Sequence, residues 1–185
     1  PALHTSEWGP LLGAQGMLGE VHVRLACLRA MSRMAASGHS SATNPLLESR
    51  LWLCCHDPDD AVKAVANEIW TVTGLELSPT YAPPLLALLS NPAEHARQAA
   101  AQAIAAAMTT HTSTASATAK QLCELFTSCV PTTKKMTEAE RIEASLFEKP
   151  SSNGGSKHSV NAAVSDEAAW MARSGVALAL EACGR

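Results

Sequence analysis

Aromatic residues are scarce in this chain of 185 residues, at 4% of the total, with one tyrosine and two phenylalanines. A β-sandwich of this length draws on more Val, Ile, Tyr and Phe, so the shortage argues against a sheet core. Charge of one sign is also missing, since 14 basic and 17 acidic residues give a formal −3. A generic electrostatic hold on DNA, RNA or anionic membrane therefore has no basis in composition, while a local basic patch stays open. No apolar run approaches the ~20 residues of a membrane span. There is no initiating methionine, and Pro1-Ala2-Leu3-His4 opens no signal-peptide pattern. With the last helix still open at Gly184-Arg185, the chain reads as a piece cut from a longer cytosolic protein.

Cysteine is present without a pattern. Cys27, Cys54, Cys55, Cys123, Cys129 and Cys183 form no C-x-x-C pair, and most fall inside apolar helical stretches. They read as small buried hydrophobes of a reduced compartment and not as a disulfide framework.

What the chain does contain is apolar surface in helical register. Apolar residues make up 46% of it, and alanine dominates them. The template i, i+3, i+4, i+7, i+8, i+11 is filled by Val23, Ala26, Cys27, Ala30, Met31 and Met34. Val62, Val65, Ala66, Ile69 and Trp70 fill it again, with Thr73 closing. Ala96, Ala99, Ala100, Ala103, Ile104 and Ala107 form a third copy, and Ala172, Gly175, Val176, Ala179, Leu180 and Cys183 a fourth. Each is one broad stripe on an amphipathic helix. A basic residue follows the first position of every stripe: Arg24, Lys63, Arg97 and Arg173. The period, in the high thirties, is close to the ~40–47 residues of HEAT and armadillo repeats.

Partner helices lie between the stripes. Leu46 to Cys55 is stopped by Asp57-Pro58, Pro83 to Leu89 by Asn91-Pro92, and Lys120 to Cys129 by Pro131. The turns Asp57-Pro58-Asp59-Asp60 and Asn91-Pro92-Ala93-Glu94 place negative charge at the start of the next helix. Gly9 to Gly19 is expected to supply the first helix of the opening pair. Thr137-Glu138-Ala139-Glu140 is a capping box that starts a charged helix reaching Glu148, and Pro150 to Ser156 has the composition of a loop. The expected organisation is thus HEAT-like repeats over 1–130, a charged helix and Pro/Gly/Ser-rich loop over 131–164, and a helix of a further repeat over 165–185. The fold class is all-α, a HEAT/armadillo-like solenoid in which stacking buries faces that no single pair can bury alone.

The sequence holds no catalytic constellation. Cys54-Cys55-His56-Asp57 is the densest cluster of reactive types, but adjacent helical residues point in different directions, and zinc needs a distant second pair of ligands. A helix C-terminus with a favourable histidine explains it better. No two histidines share a His-x-x-x-His spacing, and no Gly-rich loop joins a strand to a helix. No catalytic residue, metal or cofactor is expected. For Arg24, Lys63, Arg97 and Arg173, an internal ladder in which each bonds an acidic turn or carbonyl of the next repeat is favoured over contact with RNA or an acidic partner, because regular position in a repeat reflects stacking. Arg29 and Arg33 lie off the stripe and, with Lys134 and Lys135, are the candidates for an interaction surface. Trp52, Trp70 and Trp170 are expected to pack in the core or between repeats.

Certain strings carry more than a generic repeat. They are Arg50-Leu51-Trp52 followed by Asp57, Ala66-Asn67-Glu68-Ile69-Trp70, Gly74-Leu75-Glu76-Leu77, the run Ala96 to Ala103, and Trp170 to Leu180. In this order and spacing they resemble the very large HEAT-repeat translational activator called general control non-derepressible protein one. The resemblance covers residues 46–108 and 165–182, about half the chain, and the region 130–165 departs from it. It implies a non-catalytic, cytoplasmic, ribosome-associated scaffold of the amino-acid starvation response. With an ATP-binding-cassette partner, such proteins help activate the kinase that phosphorylates initiation factor 2 alpha. Those two partners would be met through other parts of the parent chain, and no kinase-binding residue transfers to this one. A transport receptor or phosphatase scaffold built from similar repeats is the alternative.

Overall fold

The computed structural model describes residues 16–36, 45–130 and 159–184. They form seven α-helices: α1 (Val21–Ala36), α2 (Pro45–Cys55), α3 (Asp60–Thr73), α4 (Ala82–Leu86), α5 (Glu94–Thr110), α6 (Thr112–Cys129) and α7 (Ser159–Cys183). A 3-10 turn, Ala87–Ser90, continues α4. No strand occurs among the described residues. The 9–15 part of the expected opening helix, the capping-box helix and the loop after it lie outside these residues; Gly16 to Gly19 is a turn.

The helices start and stop where local chemistry requires. The Asp59 carboxylate accepts the amides of Ala61 and Val62 and so caps the free donors that open α3. At its other end Gly74 sits at φ 61°, the left-handed conformation in which a Cβ is strained. Pro83 and Pro84 stand in the first turn of α4, where no amide hydrogen is needed. A single residue, His111, separates α5 from α6, which starts eight residues before the expected Lys120. Thr112 to Ala119 has little apolar character to announce a helix. It is anchored by buried Thr118, whose hydroxyl lies 3.1 Å from the Tyr81 hydroxyl.

The helices pair as α2/α3, α4/α5 and α6/α7, with α1 stacked on α3 and α7 on α5. Two cores result. One lies among α1, α2 and α3, around Leu28, Met31, Leu51, Cys54, Val62 and Ile69. The other joins α4, α5, α6 and α7 around Leu85, Leu89, Ala100, Ile104, Leu122 and Val176. Trp70 packs against both, and its ring centroid is 5.1 Å from that of Trp52. The Trp52 indole N–H donates to the Ala103 carbonyl at 3.0 Å, tying α2 to α5.

The stripes are buried to different extents. All six positions of the α5 stripe are inside. In α1, Ala26 and Ala30 are exposed, and the inward face runs through Arg24, Cys27, Leu28 and Met31. The face is turned by one position because a charged residue, Arg24, occupies it. Trp170 also departs from expectation: it is 57% exposed on α7 and packs in neither core. Of the cysteines, Cys27, Cys54 and Cys55 are buried, whereas Cys123 and Cys183 are exposed.

Candidate functional site

Arg24, Lys63 and Arg97 are each the fourth residue of their helix, in α1, α3 and α5. Ahead of α3 and α5 the chain has just ended another element, and ahead of α1 it makes a turn, so carbonyls there lack intrahelical donors. Arg97 supplies donors: its guanidinium reaches the carbonyls of Asn91 and Pro92 at 2.7 and 2.9 Å. Arg24 does the same to the Gly19 carbonyl at 2.6 Å. It also crosses to the next repeat, with 2.9 Å from Nη2 to Asp57 Oδ1 in a pair that is almost wholly buried. Arg173, midway along α7, donates to the carbonyl of Cys129 at the end of α6.

Lys63 differs. Its ammonium is half-exposed and bonds Asp60 at 3.3 Å, one turn back on its own helix. The carbonyls of Asp57 and Pro58, which stand where Asn91 and Pro92 stand one repeat later, receive no side chain from position 63. A groove of about 570 Å³ opens at this place. Cys55, His56, Asp57, Pro58 and Lys63 form one wall, Gln98, Ala101 and Gln102 of α5 the floor, and Leu178, Glu181 and Ala182 of α7 the other wall.

Electrostatics within the groove follow from burial. The two bonds of Asp57, to Arg24 and to the Asp59 amide, both use Oδ1, which leaves Oδ2 for a further donor. His56 Nε2 is buried with no partner. Desolvation, and then the Lys63 charge, lower the His56 pKa below its ordinary value, so the ring is neutral near pH 7. The His56 ring lies edge-on to Trp52, with centroids 4.6 Å apart. Gln98 donates to Glu94 at 2.9 Å, while Gln102, one turn on, faces solvent.

The cluster Cys54-Cys55-His56-Asp57 has no nucleophile ready to react. Burial, with the Asp57 charge nearby, pushes the Cys54 thiol far above its ordinary value, and burial pushes Cys55 up to about 12. Thiolate is the reactive form, so both are inert near neutrality. No group of three His, Cys, Asp or Glu side chains suited to a metal ion occurs among the described residues. None of the described helices is long and apolar enough to cross a membrane.

Arg29 and Arg33 are exposed on α1, one helical turn apart, and are not among the residues lining the groove. Lys134 and Lys135 lie outside the described residues. Sequence reasoning passes over Gln98, Gln102, Leu178 and Glu181. The signal that could find them is the single Lys among three Arg at the repeated basic position.

A family model described as stalled ribosome sensor GCN1, HEAT repeats, matches residues 37–185. The chain is 36% identical over 90 residues to Protein ILITYHIA of Arabidopsis thaliana, a stretch covering 48% of this chain and 3% of that protein. No solved structure matches.

Proposed function

The chain belongs to the family of HEAT repeats of the stalled ribosome sensor GCN1, and from that premise we propose that it is a non-catalytic scaffold segment of a ribosome-associated translational regulator. The observation that carries the reading is the match over residues 37–185, on an array of paired helices that supplies a long surface and no reactive centre among the described residues. The mechanism is geometric. A repeat array holds distant sites at a set spacing, and many weak contacts along it add through effective concentration. The parent protein sits on stalled or collided ribosomes in the cytoplasm. Together with an ATP-binding-cassette partner it promotes the kinase that phosphorylates initiation factor 2 alpha during amino-acid starvation, with those two partners held elsewhere on the parent chain. The exposed Arg29 and Arg33, with Lys134 and Lys135, are the basic residues proposed to touch ribosomal phosphate.

Sucrose-gradient sedimentation of the full-length parent, after induced stalling and limited RNase, tests this reading. Co-migration with ribosomes that moves into nuclease-resistant disomes is expected. A parent that stays at the top of the gradient under both conditions contradicts it and favours a transport or phosphatase scaffold.

A further inference from the structure

The groove between α3 and α7 is a slot that the neighbouring repeats fill from within. At the fourth helical position, α1 and α5 each carry an arginine whose guanidinium bonds backbone carbonyls just ahead of its helix, one for Arg24 and two for Arg97. In α3 that position is Lys63, which turns to Asp60 and leaves the carbonyls of Asp57 and Pro58 at the edge of a cavity of about 570 Å³. Lysine is not a substitute here. An ammonium is a strongly hydrated point charge, whereas the guanidinium is more weakly hydrated and is held flat, so that Nη1 of Arg97 reaches both carbonyls while the other nitrogens stay available.

We propose that this groove binds an extended segment of a partner protein by taking an arginine side chain into the slot that Lys63 leaves open. The donors of a guanidinium match what lines the slot. The carbonyls of Asp57 and Pro58 precede Lys63 by the same six and five residues as Asn91 and Pro92, whose carbonyls are bonded by Arg97, precede that arginine. Asp57, almost fully buried, has one oxygen committed to Arg24 and the Asp59 amide and the other available. His56 Nε2, buried and without a partner, accepts in the neutral tautomer that carries its proton on Nδ1. Asp57 is paired with Arg24 and Lys63 with Asp60, so these side chains bring no net positive charge against an incoming guanidinium. The cavity is larger than one side chain, and its floor continues along α5 through Gln98 and Gln102, spaced one turn apart. A primary amide both donates and accepts, as the main chain of an extended peptide does. The slot thus selects arginine, and the floor holds the peptide that carries it. The inference does not depend on the ribosomal reading, because any partner with an exposed arginine on an extended segment meets the requirement.

The test uses the whole 185-residue chain and a blocked peptide, acetyl-Gly-Gly-Arg-Gly-Gly-amide, titrated by heteronuclear NMR. Resonances of Asp57, Lys63 and Gln102 are expected to shift together. The same peptide with citrulline, which keeps the shape and loses the charge, is expected to bind at least about tenfold more weakly, as is the lysine peptide. Free arginine amide, which offers the guanidinium without the extended chain, is also expected to bind more weakly. Lys63→Arg fills the slot from inside and should remove binding, while circular dichroism and the melting temperature show the fold retained. Gln102→Ala, at an exposed position, should weaken the peptide several-fold and leave free arginine amide unaffected. Equal binding of the citrulline peptide, unchanged binding by Lys63→Arg, or no shift with the arginine peptide overturns the proposal. Equal binding of free arginine amide also overturns it, because the groove is then a small-molecule site and not a docking surface.

Discussion

Between α1 and α3 the interior is filled by leucines, methionines and buried thiols and is closed by the Arg24–Asp57 pair, whereas α7 meets α5 and the Ala87–Ser90 turn over alanines, with Ile104, Val176 and one glycine among them. The first region keeps its helices apart with large side chains and fixes their register by a charge-assisted hydrogen bond. In the second, α7 runs so close to the Ala87–Ser90 turn that a Cβ built on Gly175 would overlap the Leu89 carbonyl oxygen, and would lie 3.0 Å from the Leu89 Cα. One stacking problem is thus solved in two ways, and the two should fail differently. A buried ion pair is fragile to the loss of one partner, because the survivor is left charged and desolvated. A close seam is fragile to added volume, because dense packing has no slack.

Asp57→Ala is expected to have the largest effect. It strands Arg24, which is 2% exposed, and should cost about 3–5 kcal/mol, read from chemical denaturation. Replacing both partners together, as Arg24→Met with Asp57→Leu, should recover most of that loss; a double variant as unstable as the single one would mean that charge is not the issue. Gly175→Ala comes next at about 3 kcal/mol, since the obstacle is backbone and cannot rotate away. An unchanged midpoint would show that α7 does not sit as close to Leu89 as described. Ala103→Leu, at a fully buried position whose carbonyl holds the Trp52 indole, should cost ~1–3 kcal/mol. Thermal melts of that variant would sharpen the comparison, because the same substitution at exposed Ala26 of α1 should have almost no effect.

The smallest effect concerns His56. Its pKa is lowered in the folded chain by burial and by Lys63, so the unfolded chain binds the proton more readily. The contribution of the neutral ring is present above the ordinary histidine pKa of about 6.5 and is lost as pH falls through that value toward the folded one. Melting temperature should therefore decline between about pH 7 and pH 5, and His56→Gln should flatten the decline. A slope indistinguishable from that of the variant would place the titrating group elsewhere.

Much of this contrast is legible in the sequence. The α5 stripe, Ala96 to Ala107, reads in its true register because every inward position is apolar and small. The same rule misplaces the α1 face by one residue, since counting apolar side chains passes over Arg24, which is buried because it bonds the Gly19 carbonyl and Asp57, 33 residues away. Helix α6 reads too short for a related reason: its first half is held inside by Thr118 and Tyr81, and a threonine does not register as core. Trp170 reads as core on its side chain alone, whereas its exposure depends on which neighbours the fold provides. The groove illustrates the same limit. Lys63 is visible as the odd member of a basic series, but the carbonyls it fails to reach and the α7 wall opposite exist only once the repeats are stacked.

Nearest-neighbour stacking is the physical premise of the scaffold reading, and it requires that damage stay local. Native-state hydrogen exchange on the wild-type chain and on Asp57→Ala measures this directly. The account predicts that amides of α1, α2 and α3 lose protection together in the variant, while those of α5 and α7 keep theirs. Equal loss in both regions would contradict it, and would describe one cooperative domain in place of an array.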